Sequence, residues 1–285
     1  MIAEMRQAFG TGKPKEETVF DVEFTEEHVI DGVFCQVQFE VRPRAGFDAV
    51  GVDWGDGGEV MDWPATSRRM AHNWSDRGRF RVKLDARLGW FRLTTAYAVD
   101  EATGAVRAIV RPWIEAVQWG DFVESGEGTY CGWRGLRGTV PAWGRSMRDA
   151  RCCYQQCFNL TGGFPKWGPS FTDCTAVYDG CAGLSGPLPP WPREAAACDQ
   201  CFRGTGATGN IPAWPATMAS ARMCFKGCAG LTGAWTDDPA LLMPAAMDGW
   251  QGTTTAHDEA VAEAGDGLRA LFYADWGGTR ARPGE

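Results

Sequence analysis

Two periods of apolar residues divide the chain. From about residue 18 to residue 100 the apolar positions alternate with polar ones. FDVEFT from Phe20, FCQVQFEV from Phe34, DAVGVDW from Asp48, FRVKL from Phe80 and WFRLTTAY from Trp90 all carry period two. That period predicts strands with one face buried, because successive side chains in a strand point to opposite sides. Clusters of Gly, Asp and Pro separate the segments, as expected for turns. The pattern predicts a small β-sandwich over 18–105, behind an N-terminal arm at 1–17.

From about residue 130 the period lengthens to 24. Leu136, Leu160 and Leu184 are spaced by 24, as are Pro141, Pro165 and Pro189, and Trp143, Trp167 and Trp191. Trp214 follows the third tryptophan by 23. Upstream of each step lies an aromatic–cysteine pair, Tyr154 with Cys157, Tyr178 with Cys181, and Phe225 with Cys228; Tyr130 with Trp133 and Cys198 with Cys201 are variants. A residue four beyond each tryptophan (Met147, Phe171, Ala195, Met218) completes the columns. One such unit cannot bury its apolar face alone, so coils must stack into a solenoid over 106–244. Equivalent positions then lie about 4.8 Å apart and form ladders. Leu136, Leu160, Leu184 and Leu231 form one expected ladder. Cys157, Cys181, Cys201 and Cys228 form another. The fourth copy then reads as irregular, four residues short before Cys201 and three long after it. Each Leu-x-Gly-x-x-Pro stretch is the expected strand, and the segment after each tryptophan is the expected return, a short helix or 3₁₀ turn. WPATMASARM from Trp214 is the most helical of these, with proline in its first turn. IEAVQWG from Ile114 is expected to be a divergent first coil. Beyond residue 244 the repeat stops, and 245–285 reads as a helical cap or docking tail. The expected class is mainly β with short helices.

Two resemblances rest on these residues. YDGCAGLSGPLP from Tyr178 and FKGCAGLTG from Phe225 resemble the BspA-like leucine-rich repeats of bacterial surface proteins and some phage-encoded proteins. VDWGDG from Val52 and HNWSDRGRFRV from His72 resemble the PKD type of immunoglobulin-like domain. That resemblance implies a core Trp54, a tight turn at Asp56-Gly57 and a second motif tryptophan, Trp74. Together the two imply a non-enzymatic recognition or structural protein: a phage virion component of tail, fibre or head that binds a host surface or another virion protein. A bacterial surface adhesin is the alternative, and a glycan-active enzyme is the minor one. Host-surface glycan or protein, or other virion proteins, are the expected partners.

Composition adds 14 tryptophans and 11 cysteines. The cysteine spacings Cys198-x-x-Cys201, Cys153-x-x-x-Cys157 and Cys224-x-x-x-Cys228 superficially suit zinc. A buried thiol ladder explains them better, with cysteine acting as a small apolar residue. Disulfides are the other alternative, which the odd count opposes. The tryptophan column Trp143, Trp167, Trp191 and Trp214 fills a core or presents an aromatic strip to sugars.

The net charge of −8 and pI near 5.1 argue against general nucleic-acid binding. The three segments differ: 1–129 carries −7, 130–244 carries +3 and 245–285 carries −4. No apolar run is long enough to cross a membrane, and MIAEMRQAFGTGKPKEETVF lacks the form of a secretory signal. The expected location is the virion or cell surface, with assembly in the cytoplasm before release. None of His28, His72 and His257 pairs with a recognisable nucleophile. The spacing of Asp53 and Asp56 is that of a turn and departs from a calcium loop. GTGATG from Gly204 matches a nucleotide fingerprint in spelling alone. No cofactor and no metal is expected.

Overall fold

The computed structural model describes residues 14–26, 28, 33–66, 69–221 and 223–232. The tail at 245–285 and most of the arm at 1–17 lie outside the described residues. Fourteen strands follow one another: β1 (Thr18–Phe24), β2 (Val33–Pro43), β3 (Ala49–Asp53), β4 (Met61–Pro64), β5 (Arg69–Trp74), β6 (Gly78–Leu84), β7 (Leu88–Asp100), β8 (Val106–Ile109), β9 (Trp113–Gln118), β10 (Leu136–Gly138), β11 (Asn159–Leu160), β12 (Ser185–Pro187), β13 (Gly206–Asn210) and β14 (Gly230–Thr232). The described fold is mainly β.

The alternating segments form strands for the reason their pattern gives. Along β2, Cys35, Val37, Phe39 and Val41 are buried while Gln36, Gln38 and Glu40 are half-exposed. Sheet order is β5-β2-β7-β8 in one sheet and β11-β10-β9-β1-β6-β3-β4 in the other. The two meet through Phe20 of β1, whose ring lies 5.6 Å from Phe39 of β2 and 5.6 Å from Phe91 of β7. Burying each such ring contributes roughly 1.5–3 kcal/mol.

The second sheet does not end with the alternating segments. β9 pairs antiparallel with β1 and parallel with β10, and β10 pairs parallel with β11. The other sheet contributes too. The carbonyl of Gly89 accepts N–H bonds from Glu124 and Ser125, and Leu93 donates to the carbonyl of Thr129. Both sheets therefore supply a starting edge for the 24-residue units, and one apolar core runs from Phe20 to Leu231.

Successive units are joined along two lines. One comprises the short parallel strands β9 to β11, a bridge from Gly162 to Leu184, and then β12 to β14. The other is a line of parallel bridges from Ser125 to Asp149, Asp173, Ala197 and Ser220. Beyond that line the backbone takes an alternating course. The N–H groups of Gly128, Tyr130 and Gly132 donate to the carbonyls of Arg151, Cys153 and Gln155 one unit on. Those of Thr129, Cys131 and Trp133 turn back three residues within their own unit. The six N–H groups from Gly128 to Trp133 are thereby satisfied at a corner that would otherwise bury unpaired groups.

The expected short helices are absent from the described residues. The segment after Trp214 makes one turn and then joins the bridge at Ser220. A helix there would keep its N–H groups to itself. Instead Ala219 and Ser220 donate to the carbonyl of Ala196 in the preceding unit.

Candidate functional site

Several ladders of side chains fill the interior of the 24-residue units, and the repeat residues singled out from sequence sort among them. Trp143, Trp167 and Trp191 are buried, with Trp214 half-buried. Their rings stack at 6.2, 6.3 and 5.1 Å with interplanar angles of 11–14°. Trp119 begins this column, 5.8 Å from Trp143. The faces of Trp143, Trp167 and Trp191 are thus occupied by one another, so these three offer no open strip for a sugar. Trp119 lies in IEAVQWG, the divergent first unit, but without the Pro-x-Trp context that marks the tryptophan column. Its distance of 24 residues from Trp143 was the available signal.

A second column stacks Tyr130, Tyr154, Tyr178, Phe202 and Phe225 at 5.4–6.1 Å. It places Phe202 at the aromatic position and corrects the fourth copy. The thiols of Cys157, Cys181 and Cys228 each donate to the carbonyl of an aromatic-column residue: Tyr130 at 3.0 Å, Tyr154 at 2.9 Å and Phe202 at 2.9 Å. Those carbonyls belong to the preceding unit; the backbone N–H groups of Cys157, Cys181 and Cys228 turn back to Tyr154, Tyr178 and Phe225, and in the fourth unit the N–H of Thr205 turns back to Phe202 in the same way, its hydroxyl donating to that carbonyl at 2.8 Å. Thr205 therefore holds the position expected of Cys201. Cys201 sits one column over, where its carbonyl accepts from Tyr178 as those of Cys153 and Cys224 accept from Tyr130 and Phe202. Ala207 takes the place of a ladder leucine, pairing in the strand run that Leu136, Leu160, Leu184 and Leu231 otherwise line. The unit is short by one residue, between Thr205 and Ala207. A small threonine and alanine masked the repeat that bulkier residues advertise elsewhere.

All eleven cysteines are free. Cys35, Cys153, Cys157, Cys174, Cys181, Cys198, Cys201, Cys224 and Cys228 are buried; Cys131 and Cys152 are half-buried. Burial pushes the titration of three of them up: Cys35 to about 11, Cys181 to about 12 and Cys228 to about 11. A thiol held protonated is a poor nucleophile and a poor metal ligand. Among the described residues no group of three or more His, Cys, Asp or Glu is placed to hold a metal ion.

The motif residues of the alternating region form a cluster of their own. His72 stacks on Trp54 at 4.5 Å and 7°, and meets Trp74 edge-on at 4.5 Å. Its Nε2 lies 2.6 Å from Asp56 Oδ2. Asp56 also accepts the N–H of Gly58, and Gly57 turns the chain at φ 85°. Gly55 is required for space as well as for its φ of 74°, since a Cβ there would stand 2.4 Å from the carbonyl oxygen of Arg81. Burial drives the Asp56 carboxyl up, but the Gly58 and His72 hydrogen bonds outweigh it and leave it below its ordinary value. Trp54 and Trp74 are core residues, so the cluster reads as a packed corner.

Outside, charges are paired across units. Arg79 and Arg81 both bind Asp21, which is only 2% exposed, and Arg79 reaches Glu115. On the turn side Gln155 donates to Asp179, and Arg203 binds both of its oxygens. The parallel edge presents a polar column instead: Arg137, Thr161, Ser185 and Thr208, half-exposed in the first case and exposed in the other three. No protein-family model, curated protein or solved structure matches the chain.

Proposed function

We propose that the 24-residue units are coils of a leucine-rich solenoid of the BspA-like kind, grown from an immunoglobulin-like sandwich of the PKD type. In this reading the chain is a non-enzymatic recognition protein, a phage virion component that binds a host surface or another virion protein. One observation supports it above the others: the side chains with chemistry of their own, thiols and indoles, turn inward, while the parallel edge turns out a polar residue per coil. A stack with a stiff aromatic interior holds such a column straight, and regular columns suit an extended partner. The step from fold to partner is analogy.

The buried tryptophans move the contact surface to Arg137, Thr161, Ser185 and Thr208. The test is an array of bacterial envelope glycans probed with the full chain and with a Thr161→Glu, Thr208→Glu variant of equal thermal stability. Binding by the parent that falls at least tenfold in the variant supports the reading. Equal binding by both removes the polar column from it. Labelling of intact phage particles with an antibody to the chain tests the virion setting, and unlabelled particles overturn that setting.

A further inference from the structure

Three guanidinium groups line the seam where the β5-β2-β7-β8 sheet meets the first 24-residue unit. Residues 122–128 run beside the start of β7. The Gly89 carbonyl holds them through the N–H groups of Glu124 and Ser125, and the Trp90 indole donates to the carbonyl of Glu127 at 2.8 Å. Arg44 lies between two rings on that run, its guanidinium carbon 4.7 Å from the centroid of Phe47 and 4.7 Å from that of Phe122. Arg42 lies over Trp90 at 4.4 Å, and the two pair across β2 and β7. Arg92 follows Trp90 by two residues on β7 and borders Gly128, where a Cβ would stand 3.7 Å from its Nε. Among the described residues no carboxylate lies within ion-pair distance of these three, whereas Arg79, Arg87, Arg145 and Arg203 each hold one. The neighbouring carboxylates are engaged elsewhere: Glu40 with Arg69, Asp121 with Arg145 and Glu127 with Arg151. Glu124 is exposed and joins none of the three.

We propose that this seam binds an acidic polysaccharide, whose carboxylates take the three guanidinium edges in turn. Arg42 and Arg92 are exposed and Arg44 is half-buried, with its Nε buried and without an acceptor. Rings cover both faces of Arg44 and its Nε is sealed, so it meets an anion through its Nη groups. A guanidinium pinned on a ring has already lost rotamer freedom, and its planar fork matches a carboxylate in two parallel bonds. Positions two apart along a strand are about 7 Å apart. Arg42 and Arg44 therefore set out a line of donors, which suits a chain bearing an acid on successive sugars better than a single small anion. The rings themselves are spent on the arginines. Trp90 is buried and Phe122 half-buried, so they offer no open platform for the stacked bases of single-stranded nucleic acid. A folded protein partner needs an apolar centre to its contact, and Phe47 is the one large apolar side chain exposed among these seam residues.

The seam is a surface apart from the polar column of Arg137, Thr161, Ser185 and Thr208, and its test is independent of that column. Calorimetric titration of the full chain with polygalacturonate at low salt is expected to show binding that weakens as salt rises, while neutral dextran shows none. Arg42→Gln with Arg92→Gln is expected to weaken the binding at least about tenfold at an unchanged melting temperature. Arg44→Lys keeps the charge and loses the fork, and is expected to weaken it as well. Arg193→Gln, which removes an exposed arginine far along the chain, should bind as the parent does, and so should Thr161→Glu with Thr208→Glu. Absence of binding by the parent overturns the proposal. So does equal loss in Arg193→Gln, which reduces the effect to overall charge. So does tighter binding of single-stranded DNA or of polyglutamate than of polygalacturonate, which assigns the seam to a nucleic acid or to an acidic protein.

Discussion

Trp119 donates its indole N–H to the hydroxyl of Tyr154 across 2.8 Å, inside the stack where both side chains are buried. The bond ties the first tryptophan of one column to the second tyrosine of the next. Further along, Trp167 and Trp191 lie against Phe202 and Phe225, and their indole nitrogens are buried without an acceptor. Removing one partner of a buried bond strands the other, at a cost of about 1–3 kcal/mol. Tyr154→Phe is therefore expected to lower stability by that amount in denaturant titration. Trp119→Phe in the same background should add less than it costs alone, because the bond is already gone. Additive losses would show that the two residues act through packing only.

The thiols set the alkaline limit. Cys35 and Cys228 rise to about 11 and Cys181 to about 12 from an ordinary 9.0, each through burial. The folded state thus holds these protons more tightly than the unfolded one. Their contribution is complete below pH 9 and is lost as the pH climbs from 9 towards 12, at about 1.4 kcal/mol per pH unit for each thiol. Thermal melts at pH 7.5 and 10.5 check this, and Cys181→Ala is expected to flatten the decline. At pH 8 a small aromatic disulfide reagent should label two thiols of the folded chain quickly, Cys131 and Cys152, and the nine buried ones only on unfolding. Rapid labelling of all eleven would contradict the buried columns.

These columns show what the sequence made legible. Alternation in FCQVQFEV marked β2 because one face is buried and the other wet. β8 escaped because all four of its residues, Val106 to Ile109, are exposed, so no burial pattern is written into it. The 24-residue period marked the units because large residues recur in it. It misled where Cys201 fell near the expected place, while Thr205 stands three residues past Phe202 as Cys181 does past Tyr178. The backbone keeps the column while residue identity does not: the N–H three residues past each aromatic turns back to it at Cys157, Cys181, Thr205 and Cys228 alike. Composition makes the return segments short helices or 3₁₀ turns, and inter-unit hydrogen bonds override that local preference.

Close approach of successive 24-residue units predicts a position-specific penalty. A Cβ added at Gly183 would stand 2.2 Å from the carbonyl oxygen of Leu160, a backbone atom that cannot swing aside. A Cβ at Gly163 meets nothing nearer than the Ser185 carbonyl oxygen at 3.7 Å. Gly183→Ala is expected to cost about 1–3 kcal/mol as overpacking, and Gly163→Ala less than about 0.5. Chemical denaturation of the two variants side by side distinguishes spacing between units from a general intolerance of the repeat.

The Asp56–His72 corner predicts acid sensitivity. Burial pulls the His72 imidazole below its ordinary 6.5, and Asp56 pulls the other way without winning. The unfolded chain therefore takes up this proton first, and stability falls as the pH drops from 6.5 through the lower folded value. Asp56 adds a second loss further down, as the pH falls through its own depressed value. Asp56→Asn removes the opposing pull and lets His72 fall further. A chemical-shift titration should place His72 below 6.5 in the parent and lower again in the variant. The melting temperature should drop more between pH 7.5 and pH 5 in the variant. A His72 that titrates higher in Asp56→Asn would refute the account.

Asp179 predicts an asymmetry between two partners. Its side chain is 3% exposed, while that of Arg203 is 37% exposed. Arg203 donates to Oδ1 at 2.6 Å and to Oδ2 at 2.7 Å, and Gln155 to Oδ2 at 2.9 Å. Arg203→Ala leaves a carboxylate in the stack with one neutral donor, and stranding a buried charge costs about 3–5 kcal/mol. Asp179→Ala frees a guanidinium that already reaches water, so its loss should stay nearer the 0–1 kcal/mol of exposed pairs plus the small cavity left behind. The double variant should then be more stable than Arg203→Ala alone, because no charge remains stranded. Urea titrations of the three variants give the order directly. A double variant less stable than either single one would mean that Asp179 holds the units through more than its bond to Arg203.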